Sequence, residues 1–308
     1  MTTERPLVTV IIPNYNHGKY LRQRIDSVLR QDFQDFELII LDDKSTDDSL
    51  AVIREYEGQP HVAHIIANEK NTGNTFIQWE RGINLAQGEY IWIAESDDVA
   101  KPQLLSTLIE ALQAHQEAVV AFCHSTMIDS NGEPMEMSWH PHGSSGETII
   151  YDGIQFNRRK MLVKNHIYNA SMVVFKKSVF NKVPNDYQKY RYCGDWLFWV
   201  HVCTQGKVIE VCKQLNLYRQ HNNKVTNHSL VNGGMWRDLG GIMCQYIQLF
   251  QLNKIQQSCL RGRWTKRFNK SAHDEDTAIR AEYPDIYNGT TFDIILYEIG
   301  KLFGFLKA

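Results

Sequence analysis

The chain has 308 residues, enough for one large domain with an appendage or for two domains. It is 43% hydrophobic and 22% charged with a formal net charge of -2, an ordinary globular balance in which nothing points to nucleic acid. Six cysteines (Cys123, Cys193, Cys203, Cys212, Cys244, Cys259) are scattered without a CxxC pair, which reads as reduced thiols in a cytoplasmic protein and excludes a disulfide framework or a cysteine-rich zinc site.

Leu7 to Pro13 is a continuous apolar run closed by Pro-Asn-Tyr-Asn, the pattern of a buried first strand. Tyr20, Leu21, Ile25, Val28 and Leu29 follow at helical spacing. Phe36 to Leu41 is a second buried strand, ending in Asp42-Asp43-Lys44-Ser45-Thr46-Asp47-Asp48. Ser45, Thr46 or Asp47 is a candidate cap for the helix that carries Leu50, Val52, Ile53 and Tyr56. A short strand at His61 to Ala67 precedes a helix from Thr75 to Ala86 that Gly88 closes. Tyr90 to Ala94 is a fourth strand, Pro102 opens a helix to about His115, and Val119 to Cys123 is a fifth strand. Strands alternating with helices predict an α/β fold with a mostly parallel open sheet and helices on both faces.

Asp129 to Thr148 reads as a long loop. Beyond it, Ala170 to Phe175 and Val208 to Val211 read as strands and Asp195 to Cys203 as a helix. After about Val225 come two amphipathic helices, Met235 to Leu252 and Phe292 to Leu306, with a polar, basic segment between them. The expected division is residues 1–225 as one domain, with halves of about 1–125 and 126–225, and 226–308 as a helical extension. The first residues carry no secretory pattern, and no run reaches about 18 apolar residues, so neither a signal peptide nor a spanning helix is expected.

The most informative stretch is Tyr90-Ile91-Trp92-Ile93-Ala94-Glu95-Ser96-Asp97-Asp98, where an apolar strand feeds into three carboxylates within four residues. Like charges that close repel, so the cluster calls for a positive partner. A hard divalent cation with oxygen ligands is one solution, and a solvated acidic turn capping the next helix is the other. Strand ends in an open α/β sheet are also where such sheets bind ligands.

Four signals align in order: Val10-Ile11-Ile12-Pro13-Asn14-Tyr15-Asn16; Asp42-Asp43-Lys44-Ser45-Thr46-Asp47; Gly82-Ile83-Asn84-Leu85-Ala86-Gln87-Gly88-Glu89-Tyr90-Ile91; and Glu95-Ser96-Asp97-Asp98. Over roughly residues 6–221 the chain resembles inverting glycosyltransferase family 2 of the bacterial surface-polysaccharide type, which has the GT-A fold. The resemblance implies that Pro13 and Tyr15 contact the nucleobase and that Asp43 hydrogen-bonds it. Glu95 and Ser96 then fall where the family contacts ribose. Asp97 matches the metal ligand of the family's DXD motif, which bridges to the diphosphate. Asn16 and Asn74 are further candidate donor contacts, and His221, closing Leu215-Asn216-Leu217-Tyr218-Arg219-Gln220-His221, is a second candidate metal ligand. Two departures stand out: Glu95 replaces the more usual Asp, and Gln78-Trp79-Glu80 stands where many members carry Ala-Arg-Asn.

Sugar transfer with inversion also needs a base for the acceptor hydroxyl. Gly194-Asp195-Trp196-Leu197-Phe198-Trp199 resembles the family segment that supplies it, making Asp195 the candidate catalytic residue. An aspartate at a helix start is equally an N-cap, and one residue can do both. Arg219 is a candidate for offsetting diphosphate charge. His140 and His142 are spaced like a metal pair but sit in the loop. The basic run Arg261, Arg263, Lys266, Arg267 and Lys270, with the last helix, fits either an anionic membrane surface or a helical extension folded on itself or on a second copy.

The resulting expectation is a cytoplasmic glycosyltransferase dependent on Mn2+ or Mg2+. It would move sugar from a nucleotide-diphosphate sugar, a UDP-sugar above others, to a glycan or lipid-linked glycan. The rivals are a nucleotidyltransferase, for which the loop Pro13-Asn14-Tyr15-Asn16-His17-Gly18 lacks the Gly-rich, Lys-bearing pattern, and a glycosyltransferase-like subunit without turnover.

Overall fold

The computed structural model describes residues 5–136, 145–221, 233–271 and 275–302. The chain divides into two compact units. The first comprises Met1–Gly153, Ile167–Gln188 and His201–His221; the second comprises Ile154–His166, Lys189–Val200 and Asn222–Ala308. The last segment of the second unit starts at Asn222, beside the boundary expected near residue 225, and two internal segments group with it.

In the first unit the elements run β1 (Val8–Asn14), α1 (Gly18–Leu29), β2 (Phe36–Asp42), α2 (Ser49–Arg54), β3 (Val62–Ala67), α3 (Thr75–Leu85), β4 (Tyr90–Ile93), β5 (Val99–Ala100), α4 (Leu104–Ala114) and β6 (Ala118–Ile128). They continue with β7 (Thr148–Asp152), β8 (Val173–Lys176) and β9 (Lys207–Arg219). The sheet order is β3-β2-β1-β4-β8-β6-β9-β5, with β7 also paired to β9. β1, β2 and β4 are buried along their whole lengths, which is why they read as unbroken apolar runs. The β3-β2-β1-β4 half is parallel throughout. Beyond β4 the sheet is mixed, because β8 runs antiparallel to both β4 and β6 while β6 and β9 are parallel.

The strand order positions the site. The chain leaves β1 toward β2 and β3, then returns to place β4 on the other side of β1. Connections diverge at the carboxyl ends of β1 and β4, and a crevice opens where they do. The segments 15–17 and 94–98 lie at that switch point.

Local chemistry matches most expectations, with particular differences. Gly88 does not cap α3 in a left-handed conformation; Ala86 ends that helix with φ -56 and ψ 137. Gly88 is required by closeness instead, since a Cβ there would lie 2.6 Å from Thr9 N. The loop expected over 129–148 holds the first residue of β7, and its residues 137–144, with His140 and His142, lie outside the described residues.

In the second unit, Asp195 opens α5 (Gly194–Cys203), whose last turn returns to the first unit. The C-terminal helices include α6 (Gly234–Leu249), α7 (Lys254–Phe268), α8 (Asp276–Glu282) and α9 (Thr291–Leu302), with a single turn at Pro284–Tyr287 before the last. The segment read only as polar and basic is α7, capped by a reciprocal Asn253–Gln256 box. Three of its basic side chains are engaged inside the unit. Arg261 pairs with Asp293 at 3.1 Å, Lys266 with Glu298 at 2.5 Å, and Arg263 donates to Tyr297 and to Val163 O. Trp236, Trp264, Phe268 and Tyr287 form its buried aromatic core. Among the described residues no helix is long and apolar enough to cross a membrane.

Candidate donor and cation site

The three strand-end carboxylates have separate fates. Asp98 is fully buried; its oxygens accept from Arg219 N at 2.9 Å and Asn169 Nδ2 at 2.7 Å, and Arg24 Nη2 lies 3.9 Å away. Glu95 accepts from Trp79 Nε1 at 2.9 Å. Burial, then the charges of Asp97 and Asp98, push the Glu95 carboxyl up to about 8. Only Asp97 turns its carboxylate toward imidazoles: Oδ2 lies 3.0 Å from His221 Nε2.

Two buried arginines hold this strand end. Arg24 donates to Glu95 O at 2.8 Å and to Ser171 Oγ at 2.7 Å. Arg219 donates to Asp97 O at 2.7 Å, Asp129 O at 3.0 Å and Gln23 Oε1 at 2.6 Å. Arg219 is 1% exposed and spends these donors on backbone and Gln23, so its work here is to position the acidic turn. Part of the positive charge the carboxylates call for thus comes from guanidinium groups, which stay ionised in proteins.

A second imidazole joins the pair. Ligand atoms of His17, Asp97 and His221 all lie within 4.8 Å of one another. The rings of His17 and His221 meet edge to face at 5.6 Å, and Tyr20 tilts against His221 at 5.3 Å. The sequence offers Asp97 and His221 as candidate metal ligands and carries no local signal for His17. The donor set fits a divalent cation, because two ligands cis to each other at about 2.1 Å from one ion lie about 3 Å apart.

The other expected contacts sit on the surrounding loops. Pro13 is buried at the end of β1, and Tyr15 beyond it is 47% exposed. Asn16 adopts φ +55; its N–H donates to Ser45 Oγ and its side chain accepts from Thr46 N at 2.7 Å. Ser96 is buried with its Oγ 2.8 Å from His17 Nδ1. Asp43 is 4% exposed and accepts from Asn68 Nδ2, Thr72 N, Thr72 Oγ1 and Gln78 Nε2. Its immediate work is to fold the loop after β3 around itself. Asn68, Thr72 and Gln78, with Arg81, line a cavity of about 450 Å³. Asn74 caps α3, accepting from Phe76 N and donating to Gln188 O at 2.9 Å, so both ends of its amide serve structure.

Asp195 belongs to the second unit. Asp238 accepts from Tyr192 N and Cys193 N just before α5, and Asp195 stands in the first turn of that helix. The Asp195 carboxylate receives Asn165 Nδ2 at 3.3 Å. Burial lifts its carboxyl to about 7, against the N–H of Trp196 and the Asn165 amide, which pull it down. A second mixed cluster, His124, Glu210 and Cys212, is buried under β7; Glu210 bonds His124 Nε2 at 3.0 Å and the Tyr151 hydroxyl at 2.7 Å, a packed polar network.

With this geometry in hand, comparison with known proteins is decisive for the family. Residues 9–183 match the profile described as Glycosyl transferase family 2. The chain belongs to glycosyl transferase family 2. It is 30% identical over 231 residues to a putative teichuronic acid biosynthesis glycosyltransferase, TuaG of Bacillus subtilis, covering 74% of this chain and 84% of that one. Its matches to two pneumococcal glycosyltransferases cover only 42% and 30% of their lengths. Among solved structures, S. aureus TarS in complex with UDP-GlcNAc superposes with a TM-score of 0.65 at 17% identity, covering 94% of this chain and 78% of that one. A mannosyltransferase from Pyrobaculum calidifontis in complex with GDP-Man and Mn2+ gives 0.57 at 14% identity, covering 97% and 88%. These structures share the GT-A fold of this family 2 glycosyltransferase.

Proposed function

We propose that this glycosyltransferase is cation-dependent and inverting, taking a UDP-sugar as donor and a glycan or lipid-linked glycan as acceptor in surface polysaccharide synthesis. The observation that carries the reading is the Asp97–His221 pair, 3.0 Å apart at the crevice where β1 and β4 diverge. The likeness to TuaG supports a surface-glycan acceptor, and the likeness to TarS with UDP-GlcNAc supports a UDP-sugar. Tyr15 offers an exposed ring to a nucleobase, and the cavity beside Asp43 offers room for polar contacts.

Asp97 and His221 would hold Mn2+ or Mg2+. When bound, the cation supplies charge neutralisation for a departing nucleoside diphosphate. Asp195 takes the proton of the acceptor hydroxyl as that oxygen attacks the anomeric carbon from the face opposite the leaving group. On α9, Phe292, Ile295 and Ile299 are 68%, 52% and 43% exposed, which supports peripheral contact with a membrane carrying a lipid-linked acceptor; a homodimer is the competing use of that stripe.

The test is a thermal-shift series with UDP-, GDP-, CDP- and dTDP-sugars, with and without Mn2+, on the parent chain and on Asp97→Asn. A ligand selective for the folded state raises the midpoint. The expected result is a Mn2+-dependent rise with UDP-sugars that Asp97→Asn abolishes. An absence of shift with every nucleotide would remove the reading.

A further inference from the structure

We infer that His17 is a third ligand of the cation proposed at Asp97 and His221, and that the resulting two-imidazole, one-carboxylate set selects Mn2+ over Mg2+. The inference rests on the reading of Asp97 and His221 as cation ligands and adds to it a residue and a selectivity.

The first support is convergence. His17 comes from the loop after β1, Asp97 from the loop after β4 and His221 from the end of β9, yet one ligand atom from each lies within 4.8 Å of the others. Cis and trans ligand pairs on one octahedral ion at about 2.1 Å lie about 3.0 and about 4.2 Å apart. The Asp97–His221 pair already has the cis spacing, and His17 lies close enough to complete the set.

The second support is how firmly His17 is presented. Asn16 on one side is held at φ +55 by Ser45 Oγ and Thr46 N. Gly18 on the other side donates its N–H to Asp47 Oδ2 at 2.9 Å. A Cβ at Gly18 would lie 1.9 Å from Asp48 Oδ1, so the β1–α1 loop is pressed onto the loop after β2. A loop tied down on both sides of one partly exposed histidine is a preorganised mount for it. Ser96 Oγ then engages Nδ1 at 2.8 Å, and this is the partner a ligating imidazole uses to fix its ring and tautomer. Nε2 is the nitrogen left for the ion. Ser96 thus has a role besides ribose: it orients His17.

Selectivity follows from donor type. Mg2+ demands oxygen ligands and retains its water, whereas imidazole nitrogen favours later divalent ions in the order Mn2+ < Co2+ < Ni2+. Two imidazoles beside one carboxylate leave Mg2+ with a single protein oxygen.

The experiment counts nitrogens directly. Pulsed EPR of Mn2+ bound to the full chain, with UDP present, reads 14N couplings from coordinated imidazole. The parent chain is expected to show two, and His17→Ala and His221→Ala one each. In competition titrations, His17→Ala should weaken Mn2+ by about 10- to 100-fold, the range typical of losing one site-orienting or ligating group, while Mg2+ changes less than about threefold. Ser96→Ala keeps the imidazole but frees it, and a broadened coupling with a smaller Mn2+ loss is expected; this arm holds if His17→Ala folds poorly. One nitrogen in the parent chain, or an unchanged Mn2+/Mg2+ ratio in His17→Ala, overturns the role of His17 while leaving the Asp97–His221 reading intact. Retention of Mn2+ by Asp97→Asn sinks that reading itself. A loss of UDP affinity in His17→Ala that is equal with and without Mn2+ would make His17 a phosphate contact instead, and also overturns the inference.

Discussion

Asp195 illustrates how environment divides labour among chemically identical side chains. Asp195 stands in the first turn of α5, where burial raises its carboxyl to about 7 and outweighs the Trp196 N–H, which favours its charged form. A base must be deprotonated to accept a proton. In the proposed mechanism kcat/KM should therefore fall as pH drops below about 7 and level off above it. Asn165 donates to the carboxylate and favours its charged form, so Asn165→Ala should move that limb to higher pH. Asp195→Asn should lower kcat by about 10²- to 10⁴-fold with donor binding retained, the usual worth of a general base. A pH profile identical in parent and Asn165→Ala, or full turnover in Asp195→Asn, would assign the base elsewhere. Arg24 makes a different residue-scale prediction. It is fully buried against fully buried Asp98, and truncating one partner strands the other. Arg24→Ala should destabilise the chain by about 3–5 kcal/mol in urea denaturation, and the double change Arg24→Met with Asp98→Asn should recover part of it. A cost below about 1 kcal/mol would show that solvent reaches Asp98.

At the scale of elements, what the sequence discloses depends on how each element is buried. β1, β2 and β4 are buried along their lengths, so hydrophobicity alone marks them, and the polar turns that follow mark their ends. β5 is two residues long, too short for any period, and is created by pairing with Leu217 and Asn216. β7 alternates between exposed and half-buried residues at the edge of the sheet and follows a Gly- and Ser-rich stretch, so the sequence carries no strand signal for it. α7 was hidden because its buried Cys259, Leu260, Trp264 and Phe268 are interleaved with arginines that pair internally. The site was legible where chemistry is tied to a strand end, at Asp97, and where a motif closes a strand, at His221. His17 and Arg24 were not legible: convergence of loops and burial of a guanidinium are tertiary facts without a local signal. Gly88 gives the element-scale prediction. The turn into β4 presses it against β1, where a methyl group would meet Thr9 N and Val8 C at 2.6 Å. Because both are backbone atoms that cannot swing aside, Gly88→Ala should cost about 1–3 kcal/mol, the range for overpacking, read as a lowered Tm. An unchanged Tm would mean that β1 and β4 can part without loss.

For the molecule as a whole, the boundary that matters is spatial and not sequential. The segments 154–166 and 189–200 lie within the first 225 residues but group with the C-terminal helices, so the unit that holds Asp195 depends on α6, α7 and α9 for its core. Asp293 is central to that dependence. Its carboxylate receives Arg261, Ser258 and both the N–H and hydroxyl of Thr290, and Gly262 packs so close that a Cβ would lie 2.1 Å from Asp293 O. Burial pushes its carboxyl up, but Arg261, Ser258 and Thr290 outweigh it and hold the group well below the usual carboxylate range. A depressed folded value contributes stability that is present above the ordinary carboxylate pKa near 4 and is lost as pH falls through the folded value. Asp293→Ala should therefore weaken the second unit at neutral pH by about 3 kcal/mol, and the gap to the parent should narrow progressively in strong acid. Hydrogen exchange resolved by segment reads this directly: protection should fall in residues 254–268 and 291–302 and, because the core is shared, in 154–166 and 189–200, while β1, β2 and β4 keep theirs. If protection falls only in the C-terminal helices, the helical segment is an independent appendage, and the Asp195 region stands without it.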